Sequence, residues 1–325
     1  MMSDSYQHSH RPGGPRDRAV ALLSKQGLVV TELARTLLAA APGKRSGRVQ
    51  EYAEQFQVSV GTVQAALEYI QASGAARLEA RGRLGTYVSE LNYPLLWSLA
   101  LHRPIIGAMP LPYSRRFEGL ATGIRSLFAL QPIDLDLRFM RGAAQRLQGL
   151  ASYECDWALV SRFAAETASA HGFVVETVML LGPETYMANH VLLLRAPNAT
   201  GLQDGMRIGV DFQSTDHVYV VRAVSRGKQV NLVEIEYSQG LRLINSGAID
   251  ATVWSQEDIP LDLDTLTVIP LDPRTDLAIA RLGEGAIVVN QGNRAMVHVL
   301  NVVLDRDKLL RTQQEVVQQI RLPAY

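Results

Sequence analysis

A single cysteine, Cys155, stands in 325 residues. It excludes an internal disulfide framework and any site built from several thiolates. Long apolar runs are missing too, since none approaches the ~18 residues needed to cross a bilayer. The opening segment MMSDSYQHSHRPGGPRDR sets no apolar stretch behind its charges, so it does not read as a secretory signal. A cytoplasmic chain is the expectation. Net charge is also lacking: 32 Lys and Arg meet 32 Asp and Glu. That balance hides a split. Residues 1–91 hold eleven Lys/Arg against eight Asp/Glu, a net of +3, which leaves twenty-one against twenty-four, a net of −3, for residues 92–325. A small basic piece joined to a larger acidic one points to a nucleic-acid module with a separate partner domain.

What is present organises into segments. Residues 1–15 are polar, with Gly13, Gly14 and two prolines, and read as a disordered tail. A helical pattern follows in Ala19, Leu22 and Leu23, then Leu33, Leu37 and Leu38. APGKRSGR (41–48) reads as a loop. Val49, Tyr52, Ala53 and Phe56 form one apolar stripe, and Val63, Ala66, Leu67 and Ile70 a second. Only Gln57, Val58 and Ser59 separate the two. Ser59 is a natural N-cap, because its hydroxyl can accept an orphan backbone N–H. Two short amphipathic helices joined this tightly make a helix-turn-helix. After Gly74, AARLEARGRLGTYVSE supplies two short strands around a glycine turn, the wing of a winged helix.

With the second stripe buried, Val60, Gly61 and Gln64 form the outward edge of the second helix. Glutamine can bond adenine N6 and N7 together, and valine can meet a thymine methyl. Ser59, Thr62, Arg45, Arg48, Arg81, Arg83 and the wing residue Gly85 suit phosphate contacts and close backbone approach, which position a module without reading sequence. The alternative is a winged helix used for protein contact.

The run EYAEQFQVSVGTVQAALEYIQASGAARLEARGRLGTYV resembles the DNA-binding domain of GntR-type regulators. Glu51, Ala53, Val58, Ser59, Thr62, Val63, Ala66, Leu67, Gly74, Gly85, Thr86 and Val88 occupy matching positions. The likeness covers about residues 46–89 and implies a DNA-binding winged helix over 16–90. Val60, Gln64 and Gln50 depart from it, standing where family members often carry operator-reaching arginines. Family half-site preferences therefore do not carry over.

ELNYPLLWSLALHRP reads as an apolar connector over 91–103. From 104 onward short β-rich runs alternate with helical stretches, the mark of an α/β domain. Strands are expected at IIGAM (105–109), IDLDLRF (133–139), DWALVS (156–161), two in 174–197, one at RIGVD, two in VNLVEIEYSQGLRLINSGAIDATVW and a return strand AIVVN (286–290), before two closing helices. Strand ends at Met109, Val160 and Val210 each feed a polar corner, where open α/β sheets place ligands. The candidates for a ligand site are Pro112, Tyr113, Ser114 and Arg115; Ser161 and Arg162; Asp211, Ser214 and Thr215; and Trp254. Ser114 and Ser214 stand at helix starts, which favour anions. Two lobes with repeated crossings resemble the type II periplasmic-binding-protein fold. Lobe 1 is expected at about 104–190 and 290–325, and lobe 2 at about 191–289. Together with LPYSRRFEGLATG and DWALVSR, the whole chain resembles YhfZ-type regulators, which implies a regulatory role.

The expected function is a ligand-responsive, homodimeric transcriptional regulator that binds double-stranded DNA and senses a small anionic effector between its lobes. Two-fold symmetric operators favour the dimer, and the apolar 95–101 run needs cover. No enzyme activity, cofactor, metal or membrane contact is expected. Asp211, Ser214, Asp216 and His217 share one corner, but a catalytic triad needs groups that converge in space. His171, His190 and His217 lack metal-ligand spacing and read as structural, and Cys155 as a small buried residue. The alternative function is a solute-binding or enzymatic periplasmic-binding-like protein with a fused helical extension.

Overall fold

In a computed structural model of the chain, residues 25–259, 266–272 and 277–325 are described. The expected tail (1–15) and Ala19, Leu22 and Leu23 lie outside them. Two compact units meet at Arg103 and Pro104.

The first unit opens with α1 (Lys25–Leu38), α2 (Val49–Phe56) and α3 (Val60–Ala72). Val29, Val30, Leu33, Ala34, Leu37 and Leu38 bury one face of α1. Tyr52 and Ala53 of α2 face Val63, Ala66 and Ile70 of α3, all buried, while Leu67 is half-buried. Gln57 makes the turn in a left-handed conformation (φ 54). Ser59 caps α3 by accepting from Thr62 N at 3.2 Å, and Gly74 (φ +76) stands just past its end. Strands β1 (Ala76–Ala80) and β2 (Thr86–Leu91) pair antiparallel as the wing. Residues 43–46, expected as loop, run beside β2 instead: Gly43 N donates to Val88 O at 2.8 Å, and Ser46 N to Thr86 O at 2.8 Å.

The expected connector is a helix of this unit, α4 (Tyr93–Leu101), capped by Asn92 with Pro94 in its first turn. Leu96, Trp97 and Ala100 are buried as α4 packs on α1. The Tyr93 hydroxyl donates to Ala40 O at 2.9 Å. A run this apolar finds cover inside its own chain. It therefore gives no support to a dimer.

The second unit holds two five-stranded sheets. Lobe 1 contains β3 (Ile105–Met109), β4 (Leu135–Phe139), β5 (Trp157–Ser161), β6 (Val175–Gly182) and β12 (Gly285–Asn290), in the order β4-β3-β5-β12-β6. Lobe 2 contains β7 (His190–Leu194), β8 (Arg207–Val210), β9 (Asn231–Glu234), β10 (Ala251–Ser255) and β11 (Thr267–Pro270), in the order β9-β8-β10-β7-β11. The plans are the same. Each has three parallel strands with the first in the middle, then an antiparallel strand, β12 or β7, then an outer one. The chain thus crosses between β6 and β7 and again between β11 and β12. The second crossing precedes Gly285, not residue 290 as expected, and His190 already belongs to lobe 2. β11 was not expected.

Helices cover the sheets: α5 (Arg115–Phe128), α6 (Ala143–Ala151) and α7 (Arg162–Thr167) in lobe 1, then α8 (Thr215–Val224), α9 (Gly240–Asn245) and α10 (Leu277–Leu282). The closing pair is α11 (Arg294–Val303) and α12 (Arg306–Val317), with α12 packed on α5. Gln313 of α12 is buried and donates to Thr185 O at 2.6 Å and Arg116 O at 3.2 Å. Ala158, Val160, Ala286 and Val288 form part of the lobe 1 core, and Ile208, Val210, Ala251 and Val253 part of that of lobe 2. The architecture is an N-terminal winged helix-turn-helix followed by a two-lobed α/β domain.

Candidate functional site

The first unit offers an exposed reading edge. Val60, Gly61 and Gln64 are all exposed, as the stripe on α3 requires. Ser59 and Thr62 are tied to each other, hydroxyl to hydroxyl at 2.9 Å. The arginines differ. Arg81 lies over the Tyr87 ring at 4.6 Å and pairs with Glu79 at 3.0 Å, and Arg48 faces Glu51 at 3.8 Å. Such exposed pairs contribute little and exchange readily for other anions. Arg45 and Arg83 have no carboxylate partner among the described residues and are exposed. Gly85 turns the wing at φ +93, and a Cβ there would lie 2.8 Å from Arg45 Nε. Only glycine meets both conditions without strain.

The second unit closes around an interlobe cleft. Leu111, Tyr113, Gly142, Arg146 and Tyr186 line it from lobe 1 and the crossing, and His190, Asp211, Ser214, Asp216 and Tyr237 from lobe 2. Three polar bridges span it. Arg141, just after β4, reaches Asp211 in lobe 2 with Nη2–Oδ1 at 3.0 Å and Nε–Oδ2 at 3.2 Å, and Glu236 at 3.2 Å. Arg116 of α5 reaches Glu257 with Nε–Oε2 at 2.6 Å, and also donates to the Glu184 carbonyl. The Ser161 hydroxyl donates to Asp216 Oδ1 at 2.8 Å. The Tyr113 and Tyr237 rings meet at 5.5 Å across the gap. Gly142 permits the close approach: its φ is +73, and a Cβ would fall 2.1 Å from Gln213 O. The enclosed space for water-sized occupants is about 50 Å³, room for a few waters or one compact polar group.

Local chemistry holds this arrangement. Asp211 is 1% exposed; besides Arg141 it accepts from Gln213 N at 2.9 Å and Tyr237 N at 3.1 Å. The hydrogen bond to Asp211 raises the Arg141 guanidinium further above its ordinary value. Burial lowers His190 and His217 to about 4, so both are neutral at neutral pH. His217 Nδ1 accepts from Asp211 N at 2.9 Å, which leaves Nε2–H to donate to Val253 O at 3.1 Å. Burial pushes the Asp216 carboxyl up to about 6, against the lowering effect of the Ser161 hydroxyl and Arg146.

Of the expected ligand residues, Tyr113, Asp211 and Ser214 line this space. Ser161 reaches it through Asp216 while capping α7 at Ala164 N, 2.9 Å away. Ser114 caps α5 and borders a smaller hollow beside Arg116 and Glu257. Trp254 is a support, stacked on Tyr237 at 4.3 Å and 4°. Thr215 opens α8 behind its Ser214 cap, and Pro112 is half-buried in the preceding loop of lobe 1; neither lines the cleft. Two arginines expected there also lie outside this lining. Arg115 is exposed and turned to the Gln319 amide, as arginines in a first helical turn commonly are. Arg162 pairs with Glu166 at 2.7 Å and Glu284 at 2.9 Å, which takes up its charge. Sequence reasoning missed Arg141, Gly142, Arg146, Tyr186 and Tyr237. Arg141 and Gly142 follow the strand ending at Phe139, so the strand-end rule applied there would have found them. Cys155 is buried, and burial pushes its thiol up to about 12. No cluster of three metal-ligating side chains occurs among the described residues.

Residues 92–325 match the YhfZ C-terminal domain family, and residues 42–88 match a helix-turn-helix domain family. The chain belongs to the YhfZ family. It is 34% identical to YhfZ of Escherichia coli (strain K12) over 307 residues, 93% of this chain and 98% of that one. It is also similar to the crystal structure of YhfZ from Shigella flexneri, with 30% identity, a TM-score of 0.60, and coverage of 72% of this chain and 98% of that one. The periplasmic VFT2 domain of Bordetella pertussis BvgS aligns with 68% of this chain and 96% of its own at 16% identity and a TM-score of 0.49. The helix-turn-helix beside the YhfZ domain gives this family member the build of a DNA-binding regulator. No described helix is long and apolar enough to cross a membrane.

Proposed function

We propose that this YhfZ-family chain is a cytoplasmic, ligand-responsive transcriptional regulator. Its winged helix binds duplex DNA as part of a homodimer, and its interlobe cleft senses a small anionic effector. The observation that carries this reading is one chain holding both an exposed reading edge and a two-lobed cleft bridged by polar side chains. On α3, Val60 and Gln64 meet base edges, while Arg45, Arg48 and Arg83 neutralise phosphates. In the cleft, Asp211 does not repel an anion as a free carboxylate would, because Arg141 already neutralises it. Dimerisation rests on the two-fold symmetry of operators. Electrophoretic mobility shift of the full chain over a salt series tests the first half. Affinity is expected to fall steeply as salt rises, because phosphate contacts release counterions. A salt-independent or undetectable shift overturns it. For the cleft, a thermal-shift screen of metabolites is expected to yield hits that stabilise wild type and fail on Asp211→Ala. Hits that stabilise both proteins equally bind elsewhere.

A further inference from the structure

One buried guanidinium in the cleft has no carboxylate within ion-pair distance among the described residues. Arg146 of α6 is 2% exposed, yet forms no ion pair within 4 Å among the described residues. Its partners are neutral: Nε donates to Leu159 O at 2.8 Å, Nη1 to Met140 O at 2.8 Å, and Nη2 to the Tyr186 hydroxyl at 2.7 Å. A guanidinium carries five N–H donors and stays protonated in proteins, so two remain to be met. A buried cation with neutral partners alone is costly. Arg141 shows the contrast, since its charge is met by Asp211 and Glu236.

Tyr186 adds a second donor. Its hydroxyl oxygen accepts from Arg146, its ring packs edge-on against Phe117 at 4.9 Å, and its own proton has no acceptor among the described residues. Both side chains line the enclosed space of about 50 Å³. Asp216 faces the same space and feels the Arg146 charge, which lowers its carboxyl, but it lies beyond ion-pair distance and accepts from Ser161. The two neighbouring histidines are neutral, so beside the Arg141–Asp211 pair the charges facing this space are Arg146 and the Asp216 carboxyl, which burial pushes up to about 6.

We propose that Arg146 and Tyr186 form the seat for the oxyanion group of the ligand, a carboxylate or a phosphate. This rests on the cleft being the sensing site and names what the cleft recognises. The seat is compact, so it holds a terminal anionic group while the remainder of the ligand extends toward Tyr113 and Tyr237. Arg146 supplies the charge and two N–H groups, and the Tyr186 O–H supplies the third donor. A merely structural Arg146, donating to the Leu159 and Met140 carbonyls and the Tyr186 hydroxyl, needs no anion.

The test uses the full chain with inorganic phosphate, acetate and, as a cationic control, methylammonium, read by thermal shift and calorimetric titration. Phosphate or acetate is expected to stabilise wild type and methylammonium is not; whichever anion binds more tightly distinguishes a phosphate ester from a carboxylate source. Tyr186→Phe keeps the ring and is expected to keep the fold, while anion affinity drops about tenfold. Arg146→Lys retains charge but loses the forked donors, and is expected to bind more weakly still. If Arg146→Lys fails to fold, Tyr186→Phe decides alone. Unchanged anion affinity in Tyr186→Phe, or no stabilisation by either anion, overturns the seat. If the anions fail while screened metabolites still depend on Asp211, the sensing cleft survives and only this seat falls.

Discussion

The two units solve the problem of assembling a site in opposite ways. In the first, the candidate DNA contacts lie on α3 and its cap, on the wing and on the segment leading into α2, all within residues 45–85. Helical periodicity then decides which side chains face out. In the second, the cleft gathers side chains from residue 111 to residue 238, in short clusters on loops and helices far apart in the chain. The first site depends on local structure and the second on the register of two sheets. The contrast teaches where fragility lies: a change in α3 alters recognition and spares the fold, whereas a change in the cleft alters both.

Asp211→Ala is expected to produce the largest effect. It strands two backbone N–H groups and takes the buried carboxylate from Arg141, a loss on the order of 3 kcal/mol, reduced because Arg141 keeps Glu236 and some exposure. Urea unfolding measures it, and a change below about 1 kcal/mol would mean that the bridge does not hold the lobes together. Gly142→Ala comes next. Its Cβ meets the Gln213 carbonyl at a positive φ, so about 1–3 kcal/mol should be lost. Small-angle scattering should show a more open second unit. If stability and shape are unchanged, the lobes do not approach each other this closely.

Acid weakens the second unit through its buried cleft. The folded values of His190 and His217 lie near 4, below the ordinary 6.5 of an exposed histidine. The unfolded chain therefore takes up protons first, and their contribution is present above about pH 6.5 and lost as pH falls toward 4. Asp216, raised to about 6, acts the other way: its ionisation penalises the folded state, and that penalty is relieved as pH falls from 6 toward 4. Two histidines against one aspartate leave a net loss on acidification. His217→Gln should flatten the slope measured by urea unfolding between pH 6.5 and 4; an unaltered slope contradicts a neutral buried His217.

The smallest effects belong to the first unit. Gln64→Ala is expected to relax base preference by about 1–3 kcal/mol at one position and leave thermal stability unaltered. Arg83→Ala should weaken every sequence alike and lower the salt slope by about one. Competition binding with operator and scrambled duplexes separates the two. If Gln64→Ala weakens all duplexes equally, Gln64 is a backbone contact.

How far the sequence revealed each site follows the same division. Ser59 as a cap, Gly74 past the helix end, and Val60, Gly61 and Gln64 as the open edge are all properties of one or two turns, so spacing discloses them. The strands at 105–109 and 157–161 are similarly plain, because both are apolar runs bounded by turns. Arg146 was hidden for a physical reason. It lies on a helix where a single arginine among small residues looks solvent-facing, and nothing along the chain shows that the Met140 and Leu159 carbonyls need its donors. The inward side of Arg141 depends on Asp211, seventy residues away. β11, short and half-buried at the edge of its sheet, carries too little apolar pattern to stand out. The run at 95–101 was legible as apolar, but its cover by α1 required the fold.

If the cleft is the sensor, its occupancy changes DNA affinity. The direct measurement is fluorescence anisotropy of the full chain on a duplex selected from a random-sequence pool, with and without the most strongly stabilising metabolite from the thermal screen. A shift in affinity of about 5- to 150-fold is expected, the range of ordinary coupling energies, and it is expected to vanish in Asp211→Ala. An affinity that is the same with and without the bound metabolite would contradict it.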